Sequence, residues 1–209
     1  MTPETTKHLE TVEGIMGKAK AILARHSYPD DLRGVIVMGT LTQIIEHHEA
    51  MLLSIRNDKI GSAFALVRSI VEGVYRGLWV NFCATEAQLQ VFERDDRLPL
   101  NMVEMAQAID AKYQAQGFFE NLRARSWAAM CSYAHTGMLQ LGRRFTGAVA
   151  KPAYTEEEIT QATTTATTCT LLLIGKFLAV QNYVADCKEA EALIGTYGPA
   201  AKRNPQPSA

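Results

Sequence analysis

Two long apolar stretches, over residues 35–55 and 64–82, carry ionisable side chains inside a helical periodicity, and this combination constrains the fold most. Apolar residues recur at three- and four-residue spacing, and strand-like alternation is absent. On a helical wheel Leu41, Ile44, Ile45, Leu52 and Ile55 define one arc. His48 falls near its centre, while Glu46 and Glu49 lie outside it. In the next stretch Phe64, Val67, Val71, Tyr75, Leu78 and Phe82 form the arc. Arg68 projects between Tyr75 and Trp79, Glu72 flanks it four residues on, and Arg76 continues the row. Burying such groups costs several kcal/mol unless they are paired, so a polar cluster in a helical core is expected. His48 on its apolar face reads first as a hydrogen-bonded core histidine.

The rest of the chain reads as helices with clear punctuation. A first helix over 4–25 stops before Pro29, because proline disfavours helical geometry in its predecessor. Asp30 or Asp31 can cap a second helix to about residue 56, and Asn57-Asp58 separates it from a third over 59–82. The short connection makes these two antiparallel neighbours. Weaker helices are expected over 85–94, 99–114 with Pro99 in the first turn, and 117–133. Residues 142–154 read as a loop. Thr155-Glu156-Glu157-Glu158 is a capping box that opens a long helix to about residue 184, taking in the threonine-rich run 160–170, and a short helix follows over 186–196. The fold class is therefore all-α: a single-domain antiparallel helical bundle of about six to eight helices over 1–197, with a disordered tail over 198–209.

The chain has 209 residues, 47% of them hydrophobic, and a formal net charge of −1, which suits one good core and gives DNA no average attraction. Cys83, Cys131, Cys169 and Cys187 form no C-x-x-C pair, so reduced thiols and a cytoplasmic setting are expected. The amino terminus carries Glu4, Lys7, Glu10 and Glu13 and does not read as a signal peptide. The longest apolar run, 171–180, contains Gly175 and Lys176 and is too short to span a bilayer, so no membrane association is expected.

Gly73 and Gly77 lie with Ser62 and Ser69 opposite the apolar arc of 64–82. Glycine inside a helix costs about 1 kcal/mol, so this pair suggests a close approach by another helix, from a second subunit in a homodimer. Glu46-His47-His48-Glu49 resembles a metal site only superficially, since neighbouring helical positions point about 100° apart, and no metal or other cofactor is expected. No G-x-S-x-G or H-E-x-x-H element is present, which argues against a conventional hydrolase. His135 in Ser132-Tyr133-Ala134-His135-Thr136-Gly137 precedes a glycine that ends a helix in the ordinary way. Arg143-Arg144 can hold a phosphate or carboxylate.

The segment Ala65-Leu66-Val67-Arg68-Ser69-Ile70-Val71-Glu72-Gly73, with Arg76-Gly77-Leu78-Trp79 and the later Ser132 to Gly137, resembles an uncharacterised family of bacterial all-helical proteins, distantly similar to HEPN and AbiV-like abortive-infection proteins. The resemblance spans residues 35–144. It implies a dimerising bundle with a polar cluster near the subunit interface and a role in phage defence or stress response. HEPN toxins are metal-independent ribonucleases that place an arginine four to six residues before a histidine. Here the nearest arginine before His135 is Arg125, so that motif is not matched.

Two functional classes follow. In one, a noncatalytic bundle uses His48, Arg68, Glu72, Arg76, Arg143 and Arg144 to bind a small anionic ligand or to fix a contact with a partner protein. In the other, an enzyme acting on RNA or a nucleotide, as a metal-independent HEPN-like ribonuclease does, uses His135 as general acid or base with Arg68, Arg143 or Arg144 stabilising phosphate charge. The first is preferred, and it expects loss of Arg68 or Glu72 to lower stability by on the order of 3 kcal/mol.

Overall fold

The computed structural model describes residues 1–197; the tail expected over 198–209 lies outside the described residues. Among the described residues the chain forms nine α-helices: α1 Pro3–Leu23, α2 Leu32–Arg56, α3 Ile60–Phe82, α4 Glu86–Asp95, α5 Met102–Tyr113, α6 Phe118–Ala134, α7 Met138–Gly142, α8 Glu156–Val180 and α9 Val184–Tyr197. An isolated bridge between Thr146 and Val149 is the only β feature among them. The fold is an all-α bundle. The helix beyond the expected six to eight is α7, which starts where the Ser132 hydroxyl accepts the Leu139 N–H at 3.1 Å.

Local chemistry sets the helix starts. Asp31 caps α2 by accepting the Gly34 N–H at 2.7 Å. Thr155 and Glu158 satisfy each other's backbone donors at 3.1 and 2.8 Å, as the capping box requires. The helix expected from Pro99 instead begins at Met102, because Asn101 and Glu104 form a capping box there and leave the proline outside. The helix α8 ends earlier than expected, at Val180, where Asn182 takes a left-handed backbone at φ 60°.

The hub is α3, which packs on α2, α5, α6 and α8. Its Ile70, Val74, Tyr75, Leu78 and Trp79 are buried. Both interior glycines are used within the chain. A Cβ on Gly73 would lie 2.8 Å from Ile44 of α2, and one on Gly77 would lie 2.7 Å from Leu173 of α8. The close approach read from these glycines is therefore made by α2 and α8 of the same subunit, and it no longer argues for a second one.

A further correction concerns α8. The apolar run 171–180 carries an 18-residue window of this helix to a mean hydropathy of 1.4, long and apolar enough to cross a bilayer. Within the bundle 61% of that window is buried, as in a core helix.

Candidate functional site

The polar cluster forms on the outer flank of α3, where α6 lies across it. Arg68 and Glu72 sit one turn apart, with an Arg68 Nη2–Glu72 Oε2 distance of 3.2 Å. Glu72 also accepts from Arg76 Nη2 at 2.6 Å, so one carboxylate lies between two guanidinium groups. The wheel position of Arg68 between Tyr75 and Trp79 leaves open what its guanidinium meets, and the ring it meets is neither of these. Instead its guanidinium lies over the Trp127 ring of α6, 5.0 Å from the centroid, and its Nη1 donates to His135 Nε2 at 2.7 Å. The Arg68 Nε–H is buried without a partner. The Arg68 and Glu72 side chains keep 23% and 19% of their exposure, so the pair is at the rim of the core and its removal costs less than the 3 kcal/mol expected for a buried one.

The contact with His135 fixes a chemical state. An arginine has only donors, so His135 must offer the lone pair of Nε2 and carry its proton on Nδ1. Two of five guanidinium donors are occupied by His135 and Glu72, which leaves one on each Nη available. Beside this pair lies an open groove of about 510 Å³, also lined by Ser62, Ser69 and Gln140. The Arg144 guanidinium lies against Gly61, one of the groove's lining residues, where a Cβ would lie 2.7 Å from its Nη2.

His135 is held by a turn different from the expected glycine stop. Thr136 takes the left-handed backbone at φ 58°, and the Gly137 N–H bonds to Ser132 O at 2.7 Å, giving a Schellman closure. Gly137 has an ordinary φ of −75° and is needed because any side chain would run into Ser132, whose Cα lies 2.8 Å from the Cβ position. A β-branched residue in the left-handed region is strained. Thr136→Gly is expected to raise stability by about 1 kcal/mol, read as a higher urea midpoint. A lower midpoint would show that Thr136 is held there by a favourable contact.

The other sequence candidates lie apart from this groove. His48 is fully buried between α2 and α8, and its Nε2 meets Thr167 Oγ1 at 2.9 Å. Thr167 spends its own hydroxyl hydrogen on Thr163 O at 2.7 Å, so His48 donates and its Nδ1 lone pair stays unpartnered. His8 of α1 meets Thr163 Oγ1 in the same way at 2.7 Å. Burial pushes the His48 imidazole down to about 4, against a small opposing pull from Glu49. His48 is thus a core histidine and does not join Arg68, Glu72 and His135. Arg143 is taken up by Glu158 and by Ala153 O.

Three functional or positioning residues escaped the sequence reading. Trp127 carries the Arg68 guanidinium, and only its place two turns before His135 on one helix hinted at it. Thr167 holds His48. Asp110 of α5 is buried and accepts the Phe119 and Glu120 N–H groups at 3.0 and 2.9 Å, capping α6 from a distance because its N-cap, Gly117, has no side chain. No curated protein and no solved structure matches the chain. Residues 42–191, which include Arg68, Glu72 and His135, match the model of DUF6988, a family of unknown function, and the chain belongs to that family.

Proposed function

We propose that the protein is a binding module for a small anionic ligand, a phosphate or carboxylate group, held in the groove beside α3 by Arg68 and His135, with Arg144 against Gly61 of its lining. The observation that carries this reading is the 2.7 Å contact between Arg68 Nη1 and His135 Nε2 at the edge of an open groove. A neutral imidazole is a weak partner for a guanidinium, and an anion that replaces it gains a charge-assisted hydrogen bond. Once released, His135 is free to carry its ring proton on Nε2 and become a second donor to the same anion. Glu72 and Trp127 hold Arg68 in place and are positioning residues.

Calorimetric titration of the full chain with inorganic phosphate is expected to give saturable heat, with Arg68→Gln binding about tenfold more weakly at unchanged helix content. Equal binding by the variant, or no saturable heat in the wild type, would contradict the reading.

The same contact favours one alternative, a metal-independent HEPN-like ribonuclease, because α3 supplies beside His135 the arginine that α6 does not carry four to six residues before it. It expects RNA cleavage that His135→Ala abolishes without loss of fold. The occupied Nε2 lone pair weighs against it, since His135 must shed Arg68 before acting as a base. A bacterial role in phage defence or stress response rests on the family resemblance alone, and a cytoplasmic setting on the four cysteines that form no C-x-x-C pair. A homodimer remains part of the proposal on a new footing, the exposed Met138, Leu139, Leu141, Phe145 and Val149 next to the groove.

A further inference from the structure

The helices α6 and α8 both pack on α3 but barely on each other. The gap between them is a groove with α3 as its floor, formed by two cavities of about 260 and 220 Å³ that meet at Thr165. Together they reach the size of small-molecule pockets, ~300–1,000 Å³. The lining of α8 runs from Glu158 to Leu172, about 21 Å at 1.5 Å per residue.

Polarity changes along this groove. One half is walled by Val74, Phe118, Leu122, Cys169 and Leu172, with Thr164, Thr165 and Thr168 on its α8 side; the Tyr75 hydroxyl is bonded to Phe119 O at 2.7 Å and the Thr165 hydroxyl to Gln161 O at 2.9 Å, so this half is mainly apolar. The other half has a floor of Phe64, Val67 and Met130 and a rim of Arg125, Gln161 and Glu158. Glu158 is committed to Arg143. Arg125 is exposed and has no acid partner among the described residues, so the charge left on this rim is positive. A dry slot leading to an unpaired cation matches a ligand with an apolar tail and one negative head.

We propose that this groove binds a single-chain anionic amphiphile, a fatty acid being the simplest, with its chain between α6 and α8 and its carboxylate on Arg125. The site lies apart from the Arg68–His135 groove, and neither reading depends on the other.

The test is titration of the full chain with dodecanoate and with dodecanol, followed by calorimetry. One saturable site is expected for dodecanoate, lost in Thr165→Trp, which fills the junction of the two cavities, and unchanged in Arg68→Gln. Arg125→Gln is expected to weaken dodecanoate about tenfold while leaving dodecanol unchanged. Should Thr165→Trp fail to fold, Ala129→Trp on the half-buried wall of α6 blocks the same groove. Absence of a saturable site, or binding that survives both tryptophan variants, overturns the proposal. So does conversion of a dimer to a monomer by Thr165→Trp without any dodecanoate binding, which would assign the groove to a second copy of the chain.

Discussion

At pH 4 the folded protein is expected to be about 3 kcal/mol less stable than near neutral pH, and His48→Gln should remove most of that difference. Burial lowers the folded-state pKa of His48 from 6.5 to about 4. As the pH falls below 6.5 the unfolded chain takes up a proton there that the folded chain refuses, so stability present above 6.5 is lost on the way to about 4. At 1.36 kcal/mol per pH unit, that interval gives the figure stated. His8, also lowered by burial, acts in the same direction. Glutamine keeps a donor near Nε2 for Thr167 but does not titrate in this range, so urea unfolding at several pH values isolates the imidazole. An identical pH dependence in both proteins would mean that His48 is charged, or solvated, in the folded state.

Asp110→Ala should lower stability by about 3 kcal/mol. The carboxylate is 7% exposed and satisfies two backbone donors at the start of α6, which has no capping side chain of its own. Removing it leaves the buried Phe119 donor and the half-buried Glu120 donor unpaired, at roughly 1–3 kcal/mol each, and withdraws a negative charge from the positive end of the helix. Asp110→Asn, which keeps one acceptor, should lose about half as much. Because α6 carries Trp127 and His135, phosphate binding should weaken along with stability in Asp110→Ala. A loss under about 1 kcal/mol would show that water reaches the Phe119 and Glu120 amides.

The helices were legible because their signals are local. The caps at Asp31 and Thr155 and the apolar arc through His48 depend only on neighbours within a turn or two. The pairing of Arg68 with Glu72 was legible for the same reason, being an i, i+4 contact. What joins the site together was not. Arg68 meets His135 across 67 residues, and Asp110 reaches α6 through a turn whose geometry no periodicity encodes. The glycines misled in a specific way. Gly73 and Gly77 did mark close helix approach, but a wheel cannot tell whether the approaching helix belongs to the same chain. Thr136 misled similarly, because a glycine one residue later looked like the left-handed position.

The claim that matters most is that Arg68 and His135 form an anion site, and the imidazole ¹⁵N resonances of His135 test it most directly, assigned by comparison with His135→Gln. At rest they should report a neutral ring protonated on Nδ1, with Nε2 accepting from Arg68. Saturating inorganic phosphate should then place the ring proton on Nε2 as Arg68 turns to the anion. A ring carrying its proton on Nε2 at rest, and indifferent to phosphate, would contradict the account.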